Sequence, residues 1–176
     1  MAITINGSGT LSGVTAGLTS SSMPTGSVLQ VVQTHLTTEV AMTGNDWDDI
    51  AGLTVAITPS ATSNKILFMT SIDWAGGTYA RIKFAKDIGG AGYNDLPLPT
   101  ADGSRSLGHL THNCYSAESD KANGAFTYLD SPNTTSAVTY KAQMYGTGRV
   151  NYPGNGGGSA TYSQGITNLI AMEIKG

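Results

Sequence analysis

The sequence is poor in charge, and the shortage excludes one class of partner. Charged residues make up 12 % of the chain, against about 25 % in an ordinary soluble domain. Twelve acidic and nine basic residues give a formal net charge of −3. A nucleic-acid-binding surface needs an excess of basic side chains to neutralise phosphates. We therefore expect no nucleic-acid partner.

Cysteine and long apolar runs are also scarce. The single cysteine, Cys114, excludes an intramolecular disulfide and with it the class of cross-linked secreted miniproteins. No apolar run approaches the ~20 residues that a membrane helix requires, so we expect no membrane insertion. The N-terminus lacks the basic segment and following apolar stretch of a signal peptide. These features predict a protein that folds in the cytoplasm of the cell that makes it.

Glycine, serine and threonine are abundant instead. The chain has 23 Gly, 17 Ser and 23 Thr, which together make 63 of its 176 residues. A chain of this length has room for one domain, or for one domain and an arm, and not for two full cores. The small residues are concentrated at the front, where they make up 16 of residues 1–27, and the first charged residue is Glu39.

Residues 1–27 are predicted to form an extended arm that anchors or assembles the protein, and residues 28–176 its body. Pro24 and Gly26 mark the junction. A Gly/Ser-rich segment behaves as a flexible coil, and a disordered leader is the alternative for the arm. Spaced aliphatic residues and the lack of charge favour a segment that becomes ordered against another subunit. The aliphatic assembly residues are Ile3, Ile5, Leu11, Val14 and Leu18.

The body is predicted to be all-β. Apolar and polar residues alternate in short segments separated by Gly, Pro, Asn and Ser. Seven or eight strands fit, and they are expected in segments 28–33, 53–58, 66–74, 79–84, 125–129, 138–145 and 166–174. An antiparallel β-sandwich of the jelly-roll type is the economical fold for such a strand count. A closed barrel is the main rival, and the lack of an internal repeat argues against a β-helix or propeller.

Two parts of the sequence resemble proteins of tailed bacteriophages. The opening segment, residues 1–14 (MAITINGSGTLSGV), resembles the start of small virion proteins of aquatic tailed phages. The body is similar to a module found at the C-terminal ends of phage tail fibres. The matching body segments are residues 26–33, 57–60, 63–67, 126–132, 134–136, 140–141 and 171–174.

This resemblance implies a structural virion protein that acts without catalysis. Such proteins are symmetric oligomers, often homotrimers, that bind other virion proteins and present variable loops to the host surface. A tail fibre or receptor-binding tip is the first expectation. A head-decoration protein that clamps capsid subunits is the alternative, because the chain has no long shaft between arm and body. In either case the protein would be located in the virion after assembly in the host cytoplasm.

Two stretches without strand pattern, residues 88–124 and 149–162, are candidate contact loops, since binding residues commonly lie on loops of a rigid scaffold. Their aromatic and hydrogen-bonding side chains suit contact with a surface glycan or protein. A passive connection between strands is the alternative for both loops. The candidate contact residues are Tyr93, Arg105, His109, His112, Tyr115, Tyr152 and Tyr162.

No metal or other cofactor is expected. Segment 109–114 holds two histidines and the cysteine, but their spacing puts the two imidazoles on opposite faces of a strand, and a structural zinc takes four ligands. Segment 45–49 holds three acidic residues without the calcium-loop pattern and its central glycine. A solvated turn before a strand that starts near Leu53 is the prediction for segment 45–49.

Catalysis is not expected either. The chain lacks a Gly-x-Ser-x-Gly nucleophile elbow. A polysaccharide-degrading enzyme would need two carboxylates about 5–10 Å apart, and the sequence selects no pair among its acids. A free soluble lectin is the third alternative. The acids considered are Asp73, Asp87, Asp95, Asp102, Glu118 and Asp120.

Overall fold

The computed structural model describes residues 4–5, 11–12, 19–77, 80–111, 121–153 and 164–176. These residues form β-strands and connections, with no α-helix; a single 3-10 turn spans Ser20–Ser22. No helix within those ranges has the length and apolarity to cross a membrane. The strands are β1 Thr4–Ile5, β2 Leu11–Ser12, β3 Val28–Leu36, β4 Val40–Met42, β5 Trp47–Ile57, β6 Lys65–Gly76, β7 Arg81–Ile88, β8 Asn94–Asp95, β9 Leu110–Thr111, β10 Lys121–Asp130, β11 Val138–Tyr145, β12 Gly148–Val150 and β13 Thr167–Ile174.

A six-stranded antiparallel sheet is built around β6. One edge of β6 pairs with β10 along ten residues. The other edge pairs with β13 along the first half of β6 and with β12 along the second half. Beyond these, β3 pairs with β13 and β4 pairs with β12. Because β12 and β13 share the same edge of β6, the chain between them, residues 151–166, is an excursion from one sheet position.

A five-stranded antiparallel sheet lies against the first. Its order is β5-β11-β7, and β8 and β9 both pair with the free edge of β7. One of the two sheets curls into a half-barrel. The small ribbon of β1 and β2 pairs within itself, with Ile5 opposite Leu11.

The core lies between the inner faces of the two sheets. Three of the segments predicted as strands contribute a buried row each. The rows are Ile66, Phe68, Thr70, Ile72 and Trp74 of β6, Ala80, Ile82 and Phe84 at β7, and Val138, Tyr140, Ala142 and Met144 of β11. The ring of Phe68 stacks on Tyr140 at 4.9 Å and meets Phe84 edge-on at 5.5 Å, which joins the two sheets through aromatic contacts.

The prediction of an all-β body is confirmed, and seven strands have eight or more residues (β3, β5, β6, β7, β10, β11 and β13). The prediction of a turn at 45–49 is wrong for its second half. Strand β5 begins at Trp47, six residues before Leu53, because β11 supplies pairing partners for this segment. Gly52, at φ +77°, lies where the register of β5 against β11 shifts.

Residues 19–27 run from the arm into β3 beside the C-terminus. The Lys175 carbonyl accepts from the Gly26 amide at 2.8 Å, and the Lys175 amide donates to Ser27 at 2.9 Å. The Lys175 ammonium donates to the carbonyls of Ser21, at 2.9 Å, and of Met23. The arm therefore joins the body at the end of the β3–β13 pair.

Candidate functional site

The outer face of the six-stranded sheet carries a contiguous apolar surface. Alternation along the strands sends one set of side chains to the core and the other set outward. In the middle of this sheet the outward set is apolar as well. We call it the apolar face, and its members are Val28, Val31, Leu67, Met69, Leu129, Ile170, Met172 and Ile174.

Strand register brings these residues together from four strands. Leu129, Leu67, Met172 and Val31 form one row across β10, β6, β13 and β3. The outer members of the row are open to solvent, at 49 % for Leu129 and 55 % for Val31, and Val28 in the next row is 51 % exposed. Four strands about 4.8 Å apart and three rows about 6.8 Å apart give roughly 400 Å².

The apolar face has a polar border along the strands. Lys65 lies at one end of β6 on the same side of the sheet. At the other end Asp73 pairs with Lys121 at 3.3 Å. Lys65 lies in the same row as Ile174 and Val28, and among the residues described the two rows of Leu67 and Met69 contain no charged side chain. Exposed apolar patches of this size and polar border mark interaction sites.

The outer face of the five-stranded sheet has the opposite chemistry, with cations stacked on aromatic rings. The Arg81 guanidinium lies 3.7 Å from the centre of the Tyr145 ring and 5.5 Å from that of Trp47. The Lys83 ammonium is 4.7 Å from the Trp47 ring, and the Trp47 and Tyr145 rings meet edge-on at 5.7 Å. Cross-strand pairing of Trp47 with Tyr145 and of Tyr145 with Arg81 sets this order.

We call this surface the cation–aromatic face, after Arg81, Lys83, Trp47 and Tyr145. Its carboxylates accept hydrogen bonds from neighbouring side chains. Asp49 accepts from Lys141 at 2.7 Å, and its Oδ1 also accepts from the Gln143 amide at 2.7 Å. Asp95 accepts from Lys83 at 3.0 Å. Charges that are paired and close to water cost little to leave at a surface. This face therefore suits water or a polar ligand, whereas the apolar face suits cover by protein.

Both ends of the 151–166 excursion are tied to one buried residue, Asp73. The Asn151 amide donates to the Asp73 carbonyl at 2.8 Å, and the Gly165 amide donates to its Oδ2 at 2.9 Å. The Thr167 hydroxyl accepts from the Asp73 amide at 3.1 Å and donates to the Asn151 side chain at 2.7 Å. Hydrogen bonds to Asp73 therefore hold together the ends of β12 and β13, and the predicted loop 149–162 begins within this region.

The predicted contact residues lie in different environments. Tyr93 is 43 % exposed beside the cation–aromatic face, with the Lys141 ammonium 4.0 Å from its ring centre. Arg105 is exposed and pairs with Asp102 at 2.6 Å. Tyr152 is only 6 % exposed, and the Arg149 guanidinium lies 5.2 Å from its ring centre.

The structure brings Tyr93 close to the cation–aromatic face and holds the Tyr152 ring within the body. Three other predicted contact residues, His112, Tyr115 and Tyr162, lie outside the described residues. The same is true of the aliphatic residues of the arm, apart from the backbone of Ile5 and Leu11. A contact role stays a prediction for all of these residues.

His109 occupies a structural position. Its Nδ1 accepts from the Phe84 amide at 3.0 Å, and its ring packs against Phe84 and Phe126 at 5.4 and 4.6 Å. Burial lowers the pKa of His109, and the carbonyl of Pro97 and the charge of Asp95 offset this only in part. The neutral ring therefore carries its proton on Nε2. Within the ranges described, no three His, Cys, Asp or Glu side chains converge as metal ligands would.

Four of the acids considered for catalysis serve local contacts. Asp95 and Asp102 pair with Lys83 and Arg105, as described above. Asp87 accepts from the amides of Gly90 and Gly92 at 3.1 and 2.7 Å, which closes the turn after β7. Asp73 holds the base of the 151–166 excursion. Glu118 and Asp120 lie outside the described residues.

Sequence reasoning identified neither the apolar face nor the cation–aromatic face. A signal for the apolar face was present: residues 66–69 are apolar at four consecutive positions, so that both faces of β6 are apolar there. The cation–aromatic face depends on pairing between segments far apart in sequence. No protein family matches this chain, and no curated protein matches it either.

Proposed function

We propose that the chain is a non-catalytic structural protein of a tailed-phage virion that assembles through the apolar face. The apolar face is the single observation that carries the assembly part of this proposal. A largely apolar surface of roughly 400 Å² is within the range of the largest patch on a typical monomer, which is often functional, and burying it against protein is favourable. The virion part rests on the resemblance of residues 1–14 and of the body segments.

A homotrimer is the assembly that we propose, since the resemblance implies a symmetric oligomer. Around a closed axis each copy can bury its apolar face against its neighbours and turn its cation–aromatic face outward. We further propose that the two sheets form a jelly-roll-like sandwich carrying the arm. The chain crosses between the sheets at β4–β5, β5–β6, β6–β7, β9–β10, β10–β11 and β11–β12, and such crossing supports that topology.

A tail fibre or receptor-binding tip is the position that we favour. The body resembles fibre tips, and the paired charges, the exposed Tyr93 and the half-buried rings of Trp47 and Tyr145 support contact with a polar partner such as a host glycan or surface protein. The second candidate is a head-decoration protein. One observation favours it: the arm joins the body next to the apolar face, and a clamp on capsid subunits would use both.

Gold-labelled antibody against this protein, applied to intact particles of the phage that encodes it, tests the proposal by electron microscopy. We expect gold at the tail end. Gold over the head would replace the fibre assignment with the head-decoration protein. Particles without gold, beside a positive control antibody against the major capsid protein, would overturn the virion assignment. Sustained release of reducing ends from host exopolysaccharide by the purified protein would overturn the non-catalytic assignment.

A further inference from the structure

No described part of the chain covers the apolar face. The same face of a second copy offers too little area to form a standard protein interface with it. Face-to-face pairing of two copies would bury roughly 400 Å² on each, about half of the ~800 Å² per partner of a standard interface. A stable assembly through this surface needs more apolar contact than the face of a second body supplies. The chain has one further source of uncharged apolar residues, the segment before Thr19.

We propose that residues 1–18 of a neighbouring copy lie on the apolar face. This inference rests on the proposed function, because it names what covers the surface through which the protein assembles. The chemistry of the two parts is matched. Residues 1–18 contain no charged side chain and carry five spaced aliphatic residues, and among the residues described the rows of Leu67 and Met69 on the apolar face contain no charged side chain.

The junction of the arm places this segment at the apolar face. Ile174 and Val28 pair in the last row of the face. The next residue, Lys175, holds the carbonyls of Ser21 and Met23. Residues 19–23, which follow the segment in sequence, therefore lie at this end of the apolar face.

The length of the segment allows it to reach another copy. Because the ribbon pairs Thr4 with Ser12, residues 4–12 fold back on themselves, and the reach is set by residues 12–18, which span at most about 24 Å. The apolar face itself is only about 20 Å long. The segment is thus long enough to pass the end of the face and place its ribbon on the face of a copy packed directly beside it.

The ribbon of β1 and β2 also needs a protein surface to pack against in order to be stable. Its register sets Ile5 opposite Leu11 and Thr4 opposite Ser12. A two-stranded ribbon alone in water is marginally stable, and in the described residues neither strand pairs with a strand of the body. Two strands are about 10 Å wide, so the ribbon and the residues flanking it fit the dimensions of the apolar face.

Sedimentation equilibrium of full-length variants provides the first test. The arm variant is Ile5→Asp with Leu11→Asp, and its control is Ser8→Asp. The face variant is Val31→Lys with Leu129→Lys, and its control is Ala56→Lys on the exposed outer side of β5. Circular dichroism confirms that each variant is folded. We expect the arm and face variants each to weaken self-association at least 30-fold and the controls to change it less than threefold.

Disulfide cross-linking between introduced cysteines provides the second test, with Cys114→Ser in every chain. A chain carrying Leu11→Cys is mixed with a tagged chain carrying Leu129→Cys and oxidised. We expect a disulfide-linked heterodimer, whereas a mixture with Ala56→Cys in place of Leu129→Cys forms none. One chain carrying both Leu11→Cys and Leu129→Cys should form covalent multimers. A disulfide closed within one chain would overturn the proposal, since the arm would then lie on its own body.

The outcomes separate this inference from the proposed function. If the face variant abolishes association and the arm variant does not, another body covers the face, and the inference fails while the proposed assembly stands. If neither variant changes association, both fail. Loss of association in both variants together with the heterodimer supports both.

Discussion

Glu173 is a buried carboxylate, 1 % exposed near the end of β13, and it accepts four hydrogen bonds. Three reach its Oε1: from the Ser60 amide at 2.6 Å, the Ser60 hydroxyl at 2.8 Å and the Asn64 side chain at 2.6 Å. Gln30 donates to Oε2 at 2.6 Å. Burial by itself raises the pKa of Glu173, but the donors from Asn64, Ser60 and Gln30 outweigh it and hold the pKa below the ordinary 4.5. The ionised form therefore stabilises the fold.

Replacing this carboxylate tests its contribution and the sign of its pH dependence. Glu173→Gln is expected to lower the free energy of unfolding at pH 7 by about 2–3 kcal/mol, because it removes charge-assisted hydrogen bonds and turns an amide NH₂ toward donors. A lowered pKa means that the contribution is complete above the unfolded value near 4.5 and is lost as the pH falls through the folded value.

Urea unfolding between pH 7 and pH 3 measures both effects. The wild type should lose stability below about pH 5 more steeply than Glu173→Gln does. Asp48→Asn, at an exposed position on β5, is the control and should change stability at pH 7 by less than about 0.5 kcal/mol. Equal slopes for wild type and Glu173→Gln would contradict the assignment.

At the scale of elements, β6 pairs with three strands of the six-stranded sheet, β10, β12 and β13. Where β12 pairs with the second half of β6, glycine is required at position 148. Gly148 of β12 lies opposite Gly76 of β6 and Met42 of β4. A Cβ on Gly148 would come within 2.6 Å of the Ala75 carbonyl oxygen and would also overlap the Met144 side chain. Close approach of backbones, and not a positive φ, is thus the reason for glycine at this position.

Gly148→Ala is expected to lower the free energy of unfolding by about 1–3 kcal/mol, because the carbonyl oxygen belongs to the backbone and cannot move aside without disturbing the sheet. Gly77→Ala is the matched control, since its Cβ would lie at an ordinary 3.6 Å from the nearest atom, the Thr147 carbonyl oxygen. Chemical denaturation measures the free energy of unfolding of both variants. Equal values would contradict the prediction, since β12 would then shift to accommodate the added methyl group.

At the scale of the whole molecule, the two outer faces favour different surroundings: the cation–aromatic face favours water, and the apolar face favours another protein surface. The cation–aromatic face pairs its charges locally, so that it is stable in water. The apolar face leaves Val31, Leu129 and Val28 half exposed, and their burial is favourable only when another protein surface covers them. This asymmetry would orient the body in the assembly that we propose.

Association stabilises a folded state by mass action, so the assembly that we propose should make the unfolding temperature depend on protein concentration. We expect the wild-type midpoint to rise by about 2–4 °C for each tenfold increase in concentration. Val31→Lys with Leu129→Lys should remove this dependence, whereas Ala56→Lys should retain it. Differential scanning calorimetry at several concentrations is the measurement. A wild-type midpoint independent of concentration would contradict assembly through the apolar face.

Local patterning in the sequence was enough to predict the all-β class and the long strands. Ile82 and Phe84 alternate with Arg81 and Lys83, and side-chain direction along a strand has a period of two whatever the partner strand is. By the same local rule, one face of β11 holds its buried apolar residues, Val138, Tyr140, Ala142 and Met144. The rule failed at Trp47, because that segment forms a strand only against a partner about a hundred residues later in the chain.

The sequence by itself thus determined the strands, their inward residues and the uncharged composition of the arm. Only the tertiary structure decided which outward residues lie together. Leu67, Leu129, Met172 and Val31 are separated by tens of residues, and they form one row because β10, β13 and β3 pair with or beside β6 in a particular register. The physical reason is that alternation depends on neighbouring residues, whereas register depends on the packing of the whole core.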